Sequence, residues 1–467
     1  MNVSVQEIWR RAETGPTCPV KTFDLKVLFP TVRDLVKRHE ISYDPEAVVP
    51  SDDGLIDRVY EAGAELLSEV GVLCTDSEKL IRFTREEIED TVSLAPRQVT
   101  VGEGREAVTI SHRDVEDDSV PFIMAGPHFA SVSEDIQLKV YEAYGREPAV
   151  DSLVLGTATT VDGLEVKPGS VLEMRAAKQN VAAVREGFRR AGRPGTCIVG
   201  SEATSAAAII GCCGPRYYRR SDILDISIGV QLKVDHKTLC VVDHCRDYGC
   251  HLTVDGTAFI GGFFGGPEGA AVGAVAETLA SYLVLRGEMT SLWAPEVNYG
   301  PGMSGRRSLW ANALAHAACA RHMPYPVLGW TPQQCYAGPC TDMYLHEIAA
   351  STVASVVCGS SATHGAGRRG VERDYFGGPL DARFLREVAV AATRLDRPAA
   401  NRIVKALLER YEDKIRGKAA PTGKTFQECN DTDTLQPTRE YVDLYEKVKE
   451  DLEALGLDLR VAASHVS

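Results

Sequence analysis

Residues 151–160 read DSLVLGTATT, a short apolar run ending in small and polar residues, and the amphipathic segment EMRAAKQNVAAVREGFRRAG follows at 173–192. The same alternation continues through the middle of the chain, which is typical of repeated βα units. Eight units are the number in a closed (β/α)8 barrel, whereas open doubly wound sheets more often have about five to seven strands. The sequence therefore predicts the α/β class and a TIM barrel. The eight predicted strands are VPFIMAGP (120–127), DSLVLGTATT (151–160), GTCIVGSE (195–202), TLCVVDHC (238–245), TAFIGGFFGG (257–266), MTSLWAPE (289–296), YPVLGWTP (325–332) and SVVCGSSATHG (355–365).

Helical periodicity marks both flanks of the predicted barrel. Before it, apolar residues recur every three or four positions from Leu55 to Val70, and VTVGEGREAVTIS (99–111) alternates like a β-hairpin. After it, ALLERYEDKI and EYVDLYEKVKEDLEALGL are amphipathic. We therefore divide the chain into an N-terminal helical and hairpin extension (1–118), a TIM-barrel catalytic domain (119–370) and a C-terminal helical cap (371–467).

The composition argues against several classes of partner. The chain has 44% hydrophobic residues and a net charge of -14, and an acidic surface suits neither nucleic acid nor an anionic membrane. The N-terminus has no apolar signal segment, and the apolar stretch 258–285 is interrupted by Pro267, Glu268 and Glu277, so we predict a cytoplasmic protein. Thirteen cysteines without regular spacing indicate reduced thiols, and no motif defines a metal site.

In TIM barrels the reacting groups lie at the C-terminal ends of the strands and in the loops that follow. Glu202, His244 and Asp255 fall at such ends, where they could act as acids and bases or stabilise a cation. Aromatic residues at the same ends could wall a cavity for a flat macrocycle or a methylated ammonium, or simply plug the barrel. These aromatic residues are Phe263, Trp293, Tyr299, Trp330 and Tyr336.

The chain resembles the monomethylamine methyltransferases of methanogenic archaea along nearly its whole length. AGPCT (337–341) and GKTFQEC (423–429) are the most specific of the shared motifs. The segments that carry the resemblance follow the order they have in that family: EAGAELLSEVGVLCTDSEKLIRFTREEIEDTV (61–92), SEDI (133–136), AGRPG (191–195), FGGPEG (264–269), CYAGPCTDM (335–343) and APTGKTFQECNDTDTLQPTREY (420–441).

This resemblance implies a homo-oligomeric TIM barrel that is a methyltransferase. It would transfer a methyl group from a small methylated amine to Co(I) of cobalamin, a corrinoid that a separate corrinoid protein carries. The enzyme itself would hold no tightly bound cofactor. It would position the methyl group and its leaving group in line with the docked corrinoid, because positioning supplies much of the barrier reduction.

One position departs from the family. In the family, a pyrrolysine occurs four residues after AGRPG. In this chain the residue at that position is Val199, whereas Gly200 and Glu202 are retained. A valine side chain cannot form the adduct with an amine that is proposed for the pyrrolysine ring. The family mechanism therefore cannot operate unchanged in this chain.

The resemblance also implies a set of site residues. Glu202 corresponds to the glutamate after the pyrrolysine and His244 to a histidine at a strand end. An acidic residue of the family falls at Asp255 or Gly256, depending on a one-residue gap, and a glutamine falls at Gln333 or Gln334. We therefore predict that Glu202, His244, Asp255 and Gln333 are catalytic. The predicted substrate-binding residues are Val199, Phe263, Trp293, Glu296, Tyr299, Trp330, Gln334 and Tyr336.

The loss of pyrrolysine favours an activated methyl donor. A quaternary ammonium leaves as a neutral amine without a proton, and related trimethylamine methyltransferases that lack pyrrolysine act on quaternary amines such as glycine betaine. Arg306 and Arg307 either bind a substrate carboxylate or are solvated. Two alternatives stay open: a metal-assisted O- or S-demethylating corrinoid methyltransferase, and a non-catalytic homologue that binds a small ligand or the corrinoid protein.

Overall fold

The computed structural model describes residues 3–128, 130–200, 203–300, 302–329, 334–365 and 374–460. Eight parallel strands close into a barrel, and their order around the barrel follows the chain. The predicted TIM barrel is therefore confirmed. The barrel strands are Phe122–Ala125, Ser152–Val154, Cys197–Val199, Ile223–Val230, His251–Thr257, Met289–Trp293, Val327–Gly329 and Ala362–His364.

Helices connect the strands and cover the outside of the barrel. They are Gln137–Gly145, Val171–Arg190, Ala206–Gly211, His236–Tyr248, Pro267–Ala280 with the π-helical continuation Ser281–Leu285, Arg306–His322, Asp342–Val357 and Pro379–Ala392. The C-terminal helices that follow are Arg397–Arg416, Phe426–Cys429 and Arg439–Ala454. A two-stranded hairpin, Thr160–Val161 with Leu164–Glu165, projects from the loop after the second barrel strand.

The N-terminal segment packs on one side of the barrel. Its helix Asp53–Val70 lies against the helix Pro267–Ala280, and an added Cβ at Gly63 would sit 2.6 Å from Cγ1 of Val275, so a glycine permits this close approach. The other elements of the segment are Val5–Thr14, Val20–Thr22, the π-helix Phe23–Leu28, Phe29–Arg38, Arg85–Ser93, the strands Val72–Cys74 and Lys79–Ile81 with Lys233–Val234, and the hairpin Gln98–Val101 and Val108–Ser111 with the short 3-10 turn Gly104–Glu106.

Two predicted strands are wrong in position. Residues 238–245 belong to the helix His236–Tyr248, whose first turn is capped by the Asp235 carboxylate, 2.7 Å from the Thr238 amide. That helix ends at Gly249, which is left-handed with φ 84°. The fourth strand is Ile223–Val230 instead, and the fifth begins at His251 rather than at Thr257.

The N-terminal hairpin closes the N-terminal end of the barrel. Val99, Val101 and Ile110 pack against Phe122 and Cys197 at the beginnings of their strands. The amide of Gly102 donates to the Ser221 carbonyl at 2.8 Å, just before the fourth strand. The opposite, C-terminal end of the barrel is therefore the end available for chemistry.

One helical segment, Pro267–Leu285, is long and apolar enough to cross a membrane. Within the protein, 94% of its apolar window is buried by other parts of the chain. Buried core helices meet the same criteria of length and composition, so the segment is weak support for a membrane span.

Candidate functional site

The strand register places a row of polar side chains on the inner face of the barrel. Thr253 pairs with Met289, Asp255 with Ser291, and Thr257 with Trp293. Met289 belongs to the apolar cluster that fills the barrel interior, and side chains two residues apart in a strand share a face. Ser291, Trp293 and Asp255 therefore point inward, as does Asp225, which pairs with Thr253.

Asp225 and Asp255 form a carboxyl pair inside the barrel. Their side chains are hydrogen-bonded to each other, and Asp225 is only 8% exposed whereas Asp255 is half-buried. Burial raises the pKa of Asp255 to about 7, and burial together with the neighbouring Asp255 carboxyl raises the pKa of Asp225 well above its usual range. The pair therefore keeps at least one proton at neutral pH.

Hydroxyl groups extend this carboxyl pair. The Ser291 side chain hydrogen-bonds to Asp255, and Ser291 Oγ lies 3.1 Å from Oγ1 of Thr253. The Oδ1 atoms of Asp225 and Asp255 are buried and have no hydrogen-bond partner in the described part of the chain. The pair thus has acceptor or donor capacity left for a ligand in the barrel.

Val199 is part of the apolar interior beside this pair. It is the last residue of the strand Cys197–Val199 and is fully buried. It pairs with Val154 on one side and with Ile223 on the other, and all three belong to the interior cluster. The side chain at this position therefore fills space and supplies no polar or reactive group.

Two buried histidines lie at the junction of the first and last barrel strands. The rings of His128 and His364 are 4.9 Å apart in an edge-to-face arrangement. Burial lowers the pKa of His364 to about 3, and burial followed by the neighbouring His364 lowers the pKa of His128 well below its usual range. Both imidazoles are therefore neutral at physiological pH.

A second group of predicted site residues lines a separate pocket. Glu296, Tyr299 and Tyr336 border a cavity of about 310 Å³ together with Arg306 and Arg307. The Arg307 guanidinium forms an ion pair with Glu296. Arg306 binds the Glu412 carboxylate at 3.0 Å, so both arginines hold carboxylates of the protein itself.

Tyr336 and Gln334 lie in a loop that a buried glutamate anchors. The Glu347 carboxylate accepts a hydrogen bond from the Tyr336 amide at 2.8 Å, and burial raises the pKa of Glu347 to about 8. The Gln334 carbonyl accepts a hydrogen bond from the Met303 amide at 3.1 Å, which joins this loop to the loop after the sixth strand. Glu347 therefore fixes the position of Tyr336.

The remaining predicted residues fall in three places. Trp293 is half-buried at the inward-facing end of its strand. Phe263 lies in the loop after the fifth strand. The Lys233 ammonium is 5.7 Å from the centre of its ring and binds Asp24 of the N-terminal segment. Glu202, Trp330 and Gln333 lie outside the described residues.

The predicted strand-end position of His244 is wrong. His244 lies in the helix His236–Tyr248, which Asp235 caps. Its ring stacks on that of Tyr248, with the ring centres 6.2 Å apart. It belongs to the outer layer of helices rather than to the barrel interior. Its position therefore gives no support to the predicted catalytic role.

Within the described ranges, no group of three His, Cys, Asp or Glu side chains has a geometry that could hold a metal ion. The polar residues inside the barrel are instead a protonated carboxyl pair, hydroxyl groups and neutral imidazoles. Such groups suit binding, proton transfer and charge compensation.

A comparison with models of known protein families shows to which family the chain belongs. Residues 3–457 match the model of the family described as Monomethylamine methyltransferase MtmB. This chain belongs to the MtmB family. The predicted family is thereby confirmed, and so is the prediction that the chain is a methyltransferase.

Individual members of the MtmB family match over almost their full length. The monomethylamine methyltransferase MtmB of Methanosarcina mazei is 30% identical over 456 residues, which is 97% of each chain. MtmB1 of Methanosarcina acetivorans is also 30% identical, again with 97% of each chain covered. A crystal structure of the Methanosarcina barkeri MtmB superposes with a TM-score of 0.93 at 28% identity, covering 97% of this chain and 98% of that one.

Proposed function

We propose that this MtmB-family enzyme transfers a methyl group from a small quaternary or otherwise activated methylated amine to Co(I) of a corrinoid protein, without pyrrolysine. Family membership supports the methyl transfer, and the corrinoid acceptor comes by analogy with the family. Val199 supports the change of donor, because the sequence has a valine four residues after AGRPG and contains only the twenty standard residues.

The chemistry of the donor follows from its leaving group. In an in-line displacement the Co–C bond forms as the C–N bond breaks, and the nitrogen leaves with the electron pair. A primary amine must gain a proton or another substituent before it can leave, whereas a quaternary ammonium departs as a neutral tertiary amine. A site that holds a cationic donor in line therefore needs no covalent amine carrier.

The carboxyl pair with Trp293 is the observation that carries the proposal. Asp225 and Asp255 share at least one proton, so the pair has at most one negative charge with which to compensate a cation. Trp293 faces the same interior from the neighbouring strand, and a tryptophan face attracts quaternary ammonium groups. We infer that Asp255 and Trp293 bind the cationic end of the donor and that Val199 packs against its methyl groups.

Other parts of the proposal rest on family analogy. The acceptor is cobalamin carried by a separate corrinoid protein, which would dock at the C-terminal end of the barrel, and this chain would hold no cofactor tightly. We also propose a cytoplasmic homo-oligomer with the domain limits given above. Glu202, Gln333 and Trp330 remain proposed site residues, as do Glu296, Tyr299, Gln334 and Tyr336 around the second pocket.

Methyl-Co(III) formation, followed by visible absorbance, tests the proposal. The purified enzyme is mixed with a cognate corrinoid protein reduced to Co(I) and with a panel of methylated amines, ethers and thioethers. Quaternary amines are expected to methylate the cobalt. Methylation by ethers or thioethers but by no amine would overturn the proposed donor class.

A further inference from the structure

Three cysteines from separate segments meet on the outer layer of the barrel. Cys213 follows the helix Ala206–Gly211, Cys245 lies near the end of the helix His236–Tyr248, and Cys250 immediately precedes the fifth strand. We call these three residues the thiol cluster. It is separate from the carboxyl pair, and it has no role in the proposed methyl transfer.

The contacts within the thiol cluster are mutual. The side chains of Cys213, Cys245 and Cys250 lie close enough to shift one another's pKa. Cys213 also pairs with Tyr218, whose carbonyl accepts a hydrogen bond at 3.0 Å from the hydroxyl of Tyr248, on the helix that carries Cys245. The turn at Gly249 brings the last two together, since its amide donates to the Cys245 carbonyl at 2.7 Å. The Cys250 thiol lies 3.9 Å from the same carbonyl oxygen.

Exposure and charge distinguish Cys213 from its two neighbours. Cys245 and Cys250 are buried at 0% and 9% exposure, whereas Cys213 is partly exposed. Hydrogen bonds from Cys245 and Cys250, with the His244 imidazole close by, lower the pKa of the Cys213 thiol. The same contacts with Cys213 raise the pKa of Cys245 and of Cys250. Of the three thiols, the partly exposed Cys213 is therefore the one that ionises most readily.

We propose that Cys213 is a site of oxidation by hydroperoxides and that Cys245 or Cys250 then closes a disulfide with it. The Cys213 thiolate attacks the peroxide, so that an S–O bond forms, the O–O bond breaks and an alcohol or water leaves. The neighbouring thiol attacks the resulting sulfenic acid, an S–S bond forms, the S–O bond breaks and water leaves. Two thiols are oxidised by two electrons in all, and the peroxide is reduced.

Metal binding does not account for the cluster. In the part of the chain the structure describes, which includes all three cysteines and His244, no set of three such side chains has a metal-binding geometry. Chance proximity of inert buried thiols does not account for it either, because Cys213 is partly exposed and the pKa of its thiol is lowered. The arrangement matches that of an attacking and a resolving cysteine.

Peptide mapping of the full-length protein tests this inference. The reduced enzyme is treated with hydrogen peroxide, alkylated with N-ethylmaleimide, digested and analysed by mass spectrometry. We expect a disulfide between Cys213 and either Cys245 or Cys250. It should form on the order of tenfold faster than any oxidation of Cys240, an exposed cysteine on the helix that carries Cys245. Unoxidised Cys213 in a sample where Cys240 has reacted would overturn the inference.

Three variants separate chemistry from folding. Cys213→Ser is expected to abolish the disulfide, and Cys240→Ser is expected to leave it unchanged. In a Cys245→Ser, Cys250→Ser double variant, dimedone should trap a sulfenic acid at Cys213. If the variants unfold, dimedone added to the wild-type protein during peroxide treatment gives the same readout, and labelling elsewhere than at Cys213 contradicts the inference.

Discussion

The carboxyl groups of Asp225 and Asp255 are hydrogen-bonded to each other inside the barrel, although the two residues lie on neighbouring strands and 30 positions apart in sequence. Two carboxylates so close cannot both be ionised in a buried site, so the pair retains a proton. The pair therefore holds at least one proton and carries at most one negative charge. That charge would compensate the positive charge of the proposed donor.

Asp255→Asn tests the charge of this pair. An asparagine keeps the shape and the hydrogen bond to Asp225 but carries no negative charge. We expect kcat/KM for a quaternary donor to fall on the order of tenfold to a hundredfold, because the variant loses the negative charge that compensates the cationic donor. Each loss of about 1.4 kcal/mol corresponds to a factor of ten. Steady-state kinetics of cobalt methylation measures this change.

Glu277→Gln is the matched control for Asp255→Asn. Glu277 is fully buried, and burial raises its pKa to about 8 as it raises that of Asp255, but Glu277 lies on a helix and accepts a hydrogen bond from the Leu232 amide at 2.8 Å. This variant should keep kcat/KM within about twofold of the wild type. Equal losses of kcat/KM in Asp255→Asn and Glu277→Gln would mean that removing either carboxyl lowers activity only by destabilising the fold.

Glu347 makes stability depend on pH. Burial raises its folded-state pKa to about 8 from the ordinary value of 4.5, so the folded protein keeps a proton that the unfolded chain releases as pH rises. Stability is therefore unaffected by this group below about pH 4.5 and falls progressively up to about pH 8. Glu347→Gln cannot ionise, and its thermal midpoint should decline less between pH 5 and 8.

The exposed Glu165 provides the control for this pH dependence. Glu165→Gln should leave the slope of midpoint against pH as in the wild type. The wild-type free energy of unfolding should fall by about 1 kcal/mol or more relative to Glu347→Gln across that range. A steeper decline in Glu347→Gln than in the wild type would show that the folded state stabilises the ionised carboxylate.

Val199→Ala tests whether the residue acts by packing alone. Val199 is fully buried, so its truncation leaves a cavity and should cost about 1–3 kcal/mol in the free energy of unfolding. Because valine supplies no reacting group, kcat for a quaternary donor should change by less than about threefold at a temperature where the variant is folded.

Val154→Ala is the comparison for this change, since Val154 pairs with Val199 and is also fully buried. It should show a similar loss of stability by chemical denaturation. A loss of kcat beyond about a hundredfold in Val199→Ala, with Val154→Ala active, would assign the valine a role that packing does not explain.

Trp293→Leu should weaken binding of a cationic donor. Loss of a cation–π contact worth about 0.5–2 kcal/mol raises the KM of a quaternary amine roughly 2- to 30-fold. Trp293→Phe keeps an aromatic face and should lose less. Trp9→Leu, in a surface groove formed by the first helix, should leave KM unchanged. Equal KM values for Trp293→Leu and the wild type would remove Trp293 from the binding site.

The barrel could be predicted from sequence because its repeat is long and regular. Six of the eight runs contain their strands, since apolar residues such as Leu153 and Leu328 are buried on both faces of a parallel sheet. The apolar run of TLCVVDHC predicts a strand, although Asp235 and Gly249 at its flanks are the start and stop signals of a helix.

Asp225 was missed for a related reason. The strand Ile223–Val230 alternates apolar residues with Asp225 and Ser227, a pattern usual for strands with one face in water. In this barrel the apolar side chains of Leu224 and Ile226 pack outward under the helices and the polar ones point into the interior. Sequence periodicity alone does not show which face is the functional one.

Two donors that differ by one methyl group distinguish a quaternary from a tertiary methyl donor. Tetramethylammonium and trimethylamine are compared at equal concentration, with the enzyme and a Co(I) corrinoid protein, by the rate of methyl-Co(III) absorbance in a single turnover. We expect rapid methylation by the quaternary donor and a rate at least about a hundredfold lower with the tertiary amine. Methylation by trimethylamine or monomethylamine at an equal or greater rate would contradict it.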